Sequence, residues 1–222
     1  MTLKVVVLGA TGKTGSQVVD EALIRGHHVV AIVRNPSKIT QKHANLKVVS
    51  GNVMSAEFLA QQFQEQDVVI SCIGTNTPTL FKVTLYTDTM RSILEAMRTA
   101  GVKRLATVTA WGTKYDPKDH GPFWMEWLLN TFLIGRILTN MSEMEDMIMA
   151  CAQQNDDIKY TVVRPPGLKD APMTDKLIIA EERNVLHQTP YFISRADVAR
   201  FILDSLEGDQ WHNKAVAIGT ES

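Results

Sequence analysis

Cysteine is scarce: Cys72 and Cys151 are the whole complement, too few for a disulfide framework. Both sit in apolar runs, where a buried, reduced thiol is the expected role. Basic runs are lacking too. Lys and Arg total 23 against 24 Asp and Glu, a formal net charge of −1, which argues against a nucleic-acid partner that tracks phosphates. The six histidines are scattered, with no HExxH and no Cys/His pairs at ligand spacing, so no metal site is expected. A long apolar run is also missing. The most apolar later stretch, Phe123–Leu138, is interrupted by Glu126, Asn130, Gly135 and Arg136 and is too short and polar to span a membrane. Met1 to Lys4 leads straight into a strand pattern with no apolar leader segment, so a cytoplasmic protein without a signal peptide is expected. Repeats, low-complexity tracts and Pro/Ser-rich linkers are absent. What remains is a chain of 222 residues, 45% hydrophobic and 21% charged, which fits one globular domain over residues 1–222, expected as a monomer or weak dimer.

Strand and helix patterns alternate from the start. Lys4–Gly9 is a β-branched run, and Thr14–Arg25 follows with helical spacing of Val18, Val19, Ala22 and Leu23, closed by Gly26. His28–Val33, Leu46–Ser50, Asp67–Ile73, Arg104–Ala110 and Tyr160–Arg164 read as further strands, and Thr87–Ala100 as a helix ending at Gly101. The early runs are apolar on both faces, as in a parallel sheet covered by helices, so the fold class is α/β, a doubly wound Rossmann-type sheet. The last third is less regular and reads as a small substrate-side region. Pro165, Pro166, Gly167 and Pro172 mark a loop; Lys176–Ala180 and Tyr191–Ile193 are candidate short strands. Ser194 with Asp197 resembles the start of a helix over Ala196–Leu206, and Lys214–Ile218 reads as a final strand at the sheet edge.

The first strand runs into Gly9-Ala10-Thr11-Gly12-Lys13-Thr14-Gly15. Gly9 permits a tight turn, Gly12 leaves no Cβ in the path of a pyrophosphate, and Gly15 lets the helix lie close to the sheet. The helix N-terminus then offers N–H groups and a positive dipole end, with Thr11 and Thr14 adding hydroxyls. Lys13 lies inside the glycines, so this is not a phosphate loop ending in Gly-Lys-Ser/Thr. A dinucleotide fold that prefers NAD has an acidic residue at the end of its second strand. Here Arg34 stands there, followed by Asn35, Pro36, Ser37 and Lys38. A guanidinium suits a 2′-phosphate, which points to NADP(H).

These residues, with GNV at 51–53, IGT at 73–75, TVTAWGTKYDP at 107–117, YTVVRPPGLKD at 160–170 and ISRADVA at 193–199, resemble the atypical short-chain dehydrogenases of the NmrA-like group. Within that group the chain is most similar to the NADPH-dependent flavin reductases, also called biliverdin-IXβ reductases. The resemblance implies that Gly9, Thr11, Gly12 and Thr14 hold a pyrophosphate, and that Arg34, Ser37 and Lys38 hold the 2′-phosphate. It places Asn52 and Val53 beside the adenine and Ile73, Gly74 and Thr75 along the path to the nicotinamide. Thr109 and Ala110 would lie by the nicotinamide ribose, with Pro166, Gly167 and Leu168 at the nicotinamide itself. Three positions depart from the pattern: Asn52 replaces the usual Asp, Ala110 a serine, and Gly167 a histidine.

The usual acid of short-chain dehydrogenases is a Tyr with Lys four residues on. Here Tyr86, Tyr115, Tyr160 and Tyr191 lead to Met90, Asp119, Arg164 and Arg195. A simple ketone needs a positioned proton donor; a flavin, linear tetrapyrrole or quinone spreads the incoming charge and can draw its proton from solvent. A small-molecule conjugated acceptor is therefore expected, with Thr109 as the one hydroxyl able to assist, or else simply a buried strand threonine. Trp111, Trp124 and Trp127 are candidates for the acceptor side. The aromatic segment 120–149 reads as a lid, a dimer face or a core helix. Met141, Met144, Ile148 and Cys151 read as core, and Glu143 and Glu145 as a solvated helix face. A catalytically silent NADP(H) sensor is the competing reading, favoured by Ala110 and Gly167.

Overall fold

Lys4–Leu8 forms β1, whose Val5, Val6, Val7 and Leu8 are all fully buried. Alternation sends Val5 and Val7 to one face of the sheet and Val6 and Leu8 to the other, and each face meets its own helices. The computed structural model describes residues 2–75, 81–114, 135–154, 157–176, 178–187 and 189–221. After β1 come α1 (Lys13–Ile24), β2 (His28–Val33), a short 3-10 turn (Pro36–Lys38), β3 (Leu46–Ser50), α2 (Ala56–Phe63), β4 (Val68–Ser71), α3 (Leu85–Ala100) and β5 (Arg104–Val108). The chain continues with α4 (Gly135–Gln153), β6 (Lys159–Arg164), β7 (Gly167–Lys169), β8 (Ile178–Glu181), β9 (Phe192–Ser194), α5 (Arg195–Asp204) and β10 (Lys214–Thr220).

The main sheet runs β3-β2-β1-β4-β5-β6-β10-β8. Every pairing is parallel except β10 with β8. A separate parallel pair joins β7 to β9. Helices α1 and α5 cover one face, and α2, α3 and α4 the other, a doubly wound Rossmann fold in a single α/β domain. Chain order reverses between β1 and β4, whose registers run from Val5↔Val68 to Leu8↔Ser71, which makes the ends of these strands the topological switch point where doubly wound sheets bind ligands.

Local chemistry explains the helix ends. The Ser55 hydroxyl caps α2 by accepting from the Phe58 N–H, and Ser194 caps α5 by accepting from the Asp197 N–H. The first turn of α3 is met from another helix: Tyr86 and Thr87 N–H both donate to Asn140 Oδ1 on α4. Gly101 closes α3 in the left-handed region, with φ 74°. No side chain caps α1 at Gly12.

Three sequence expectations need correction. The last strand is not at the edge: β10 lies between β6 and β8, and its Ala215–Ile218 run is buried. The stretch after Pro166 is not only loop, since Gly167–Lys169 pairs with Phe192–Ser194 as β7 with β9. Glu145 is not solvated. It is 0% exposed, because it falls on the buried stripe of α4 with Met144 and Ile148, while Glu143 is exposed as expected. Met144 and Ile148 are buried, and Met141 and Cys151 pack against the same cluster. Among the described residues, no helix is long and apolar enough to cross a membrane.

Candidate cofactor site

The glycine turn sits at the switch point between β1 and β4. Gly9 has φ +76°, and its carbonyl accepts from the Gly12 N–H at 2.9 Å, closing the turn. A Cβ at Gly9 would lie 2.6 Å from the Cys72 carbonyl oxygen, and one at Gly15 would lie 2.2 Å from the Gly9 carbonyl oxygen. Both glycines are therefore required by the protein's own packing. Gly12 differs. Among the described residues, a Cβ there would meet only the Gly9 carbonyl oxygen, at 3.1 Å, a tight contact that a shift of a few tenths of an ångström relieves. The described packing constrains Gly12 less than it constrains Gly9 and Gly15.

Gly12 is also the N-cap of α1, so the first N–H groups of the helix, from Lys13 onward, have no intrahelical partner and, among the described residues, no capping side chain. Helices α2, α3 and α5 have such groups met by Ser55, Asn140 and Ser194. The α1 terminus thus retains free donors and its dipole end, a ready site for an anion. Thr11 and Lys13 are exposed beside it and Thr14 is half-buried. The adjoining wall is inert, since burial pushes the Cys72 thiol up to about 12.

Arg34 lies one residue past β2, exposed and without a partner among the described residues. The following turn is built by Asn35, whose Oδ1 accepts from the Ser37 N–H at 3.1 Å and from its hydroxyl at 2.7 Å. Lys38 ends that turn, exposed. Across the strand ends, Gly51 N–H donates to the Val33 carbonyl, bringing the β3 exit beside that of β2. Asn52 follows, its Oδ1 accepting from the Met54 N–H at 3.0 Å, and Val53 packs against the core. At the end of β4, Ile73 packs on the core. Gly74 is exposed, and Thr75 N–H donates to the Tyr86 hydroxyl at 3.2 Å. Tyr86 is buried, and burial raises its phenol above the ordinary tyrosine value.

Past β5 and β6 the structure brings together residues that sequence reasoning missed. The Thr109 hydroxyl donates to Glu145 Oε1 at 2.8 Å. Arg164, the last residue of β6, donates from Nε to the same oxygen at 3.2 Å and from Nη2 to Oε2 at 2.5 Å. Its Nη1 donates to the Arg183 carbonyl and to Asn184 Oδ1. One buried ion pair thus ties α4, the exits of β5 and β6 and the loop after β8 together. The clue was present: Glu145 stands four residues after Met141 and three before Ile148, on the apolar stripe of the helix.

Beyond Thr109, half-buried Ala110 leads to Trp111, whose N–H donates to the Pro165 carbonyl at 2.9 Å. Trp111 was expected on the acceptor side. The residue is instead 4% exposed, packed with Val185, Leu186 and Ala217, and its Nε1–H has no partner among the described residues. Trp124 and Trp127 lie outside the described residues. Pro166 is buried, Leu168 packs on the core, and Gly167 N–H donates to the Tyr191 carbonyl. A Cβ at Gly167 would meet Phe192 Cε1 at 2.6 Å, so the Phe192 ring fills the space a side chain would take. Phe192 itself is 59% exposed. Among the described residues, no group of three or more His, Cys, Asp or Glu could hold a metal ion.

Comparison with known proteins bears on the fold and the family. The uncharacterized protein YwnB of Bacillus subtilis is 25% identical over 230 residues, covering 99% of this chain and 100% of YwnB. Two solved structures share the fold. A Streptococcus pneumoniae protein proposed as an NADH-flavin reductase has a TM-score of 0.77 at 20% identity, covering 99% of this chain and all of its own. An anaerobillin reductase of Escherichia coli O157:H7 has a TM-score of 0.74 at 19% identity, covering 97% and 96%. Residues 9–209, from the first glycine of the turn to beyond α5, match the NAD(P)H-binding family, and the chain belongs to it.

Proposed function

We propose that this chain is an NADPH-dependent reductase that delivers hydride to a flat conjugated acceptor, such as a flavin, a linear tetrapyrrole or a quinone. The observation that carries the cofactor assignment is Gly12: its missing Cβ leaves an open cradle in front of uncapped helix donors. In this reading Gly9, Thr11, Gly12, Lys13, Thr14 and Gly15 form the pyrophosphate site, and Arg34, Ser37 and Lys38 the 2′-phosphate site. Asn52 and Val53 flank the adenine. Ile73, Gly74, Thr75, Thr109, Ala110, Pro166, Gly167 and Leu168 line the nicotinamide half.

The bound cofactor supplies hydride from its reduced nicotinamide, and the acceptor gains two electrons with that hydride and a proton. The protein contributes placement and a dry surface. Thr109 cannot donate that proton while its hydroxyl hydrogen is held by the Glu145 carboxylate, itself neutralised by Arg164. A chain with its strand-end hydroxyl so committed suits acceptors that delocalise charge and take a proton from water. Phe192, exposed against Gly167, offers the aromatic surface that sequence reasoning had sought at Trp111.

The test is NADPH oxidation, followed near 340 nm (roughly the reduced nicotinamide band), with FMN, quinones and biliverdin as acceptors. Turnover with any of them supports the reading. NADPH binding without turnover on all three overturns it and favours the catalytically silent sensor. One observation speaks for that sensor: with Ala110 and Gly167 in place, no polar side chain stands at either position.

A further inference from the structure

Asp170 follows β7 directly, and its carboxylate is divided between two cations. Oδ2 accepts from Lys13 Nζ at 2.6 Å, and Oδ1 accepts from Arg195 Nη1 at 2.5 Å. Lys13 is the first residue of α1 and Arg195 the first of α5. The Lys13 hydrogen bond, followed by the Arg195 charge, holds the Asp170 carboxyl below the usual carboxylate range. The segment carrying Asp170 is anchored to α5 by other contacts. Thr174 donates from its N–H and its hydroxyl to buried Asp197, and Arg200 donates to the carbonyls of Thr174 and Lys176. The Lys13–Asp170 pair is the polar link from this anchored segment to the glycine turn.

We propose that Asp170 sets the affinity of the glycine turn for its dinucleotide: it is an internal anion that holds Lys13 in the free protein and yields it to the pyrophosphate on binding. The proposal rests on the assignment of a dinucleotide to the glycine turn. The charge count favours an exchange. Lys13, Arg195 and Asp170 sum to one positive charge, whereas a pyrophosphate brings two negative charges. With Asp170 fully engaged, the incoming anion meets one cation too few and a carboxylate beside it. The Lys13–Asp170 pair can be exchanged easily, because Lys13 and Asp170 are both largely solvent-exposed and such pairs are weak. Asp170 has less freedom than Lys13. Its other oxygen is bound to Arg195, which is 17% exposed, and its neighbours are tied to α5. The flexible lysine therefore moves and the carboxylate stays.

The test is calorimetric titration of NADPH into wild type, Asp170→Asn, Lys13→Met and the double variant at low salt. Asp170→Asn keeps the shape and removes the charge. It should bind NADPH about three- to tenfold tighter, and the gain should shrink as salt screens the site. Lys13→Met should bind more weakly, and most of the Asp170→Asn gain should vanish in its background, because that gain acts through Lys13. A wild type that binds NADPH, with Asp170→Asn unchanged or weaker, overturns this proposal alone and would mean that Asp170 clasps the closed site. An equal gain with and without Lys13 also overturns it, reducing Asp170 to long-range repulsion. Absence of NADPH binding by every variant would overturn the cofactor assignment and this proposal with it.

Discussion

Replacing Glu145 by Ala should be among the most damaging single substitutions in the chain, although Glu145 lies on a helix and carries a charge. Glu145 is fully buried and accepts from Thr109 Oγ1, Arg164 Nε and Arg164 Nη2. Alanine leaves the Arg164 guanidinium inside the protein with, among the described residues, only its Nη1 contacts to the Arg183 carbonyl and Asn184. Removing one partner of a buried pair costs about 3–5 kcal/mol, because the other charge is stranded. At roughly 2–4 °C per kcal/mol for a chain of this size, the melting temperature should fall by about 6–20 °C. Replacing both residues by Met removes the stranded charge, so the double variant should lose less than the sum of Glu145→Met and Arg164→Met measured singly. Urea denaturation at pH 7, followed by circular dichroism, reads each difference. A loss below about 1 kcal/mol for Glu145→Ala, or strict additivity in the double variant, would refute a buried, coupled pair.

Three further outcomes are expected. Gly12→Val should fold with near-wild-type stability yet lose NADPH binding, since the new side chain enters the cradle while touching little of the protein; retained affinity by calorimetry would place the cradle elsewhere. Trp111→Phe should cost about 1–2 kcal/mol in a melt, the packing lost with the smaller ring and nothing more, because the buried indole N–H it removes has no partner among the described residues; a cost above about 3 kcal/mol would reveal a hydrogen bond at Nε1. Lowering the pH should destabilise the fold through His27. Burial, then the nearby Arg25 charge, lowers its folded value below the usual 6.5, and its Nδ1 accepts from the Leu3 N–H as the neutral ring does. The unfolded chain therefore takes up the proton first. The His27 contribution is complete above 6.5 and declines as pH falls from there toward the lowered folded value. His27→Gln should flatten that part of the stability profile measured between pH 7.5 and 5; an unchanged slope would assign it to other groups.

The parts of this site legible in the sequence are those written in local code. The glycine turn, its flanking strand and helix, and Arg34 at the end of β2 are each set by residues within a few positions of one another, and the structure places them as read. What was hidden depends on distant partners. The β7–β9 pairing joins residues 167–169 to 192–194, and the interior position of β10 is set by β6 and β8. Helix α2 was missed because its eight residues hold few periods, although Ser55 and Glu57 mark its start. Glu145 was misread because charge outweighed position: its place on the stripe of Met141 and Ile148 favoured burial, and Arg164, the partner that permits it, lies on another strand. Burial of Trp111, a candidate for the acceptor side, depends on Val185 and Leu186 in the loop after β8, far from it in sequence.

An NADP(H) site built on the glycine turn, with Arg34 at its 2′-phosphate end, is tested most directly by titration of wild-type protein with NADPH and NADH. Arg34 is exposed and without a partner among the described residues, so no internal contact need be broken for it to engage a phosphate. One charge-assisted hydrogen bond of roughly 1.5–3 kcal/mol predicts NADPH affinity at least about tenfold above that for NADH. Arg34→Asp should erase that margin. Equal affinity of the wild type for the two cofactors would contradict the account.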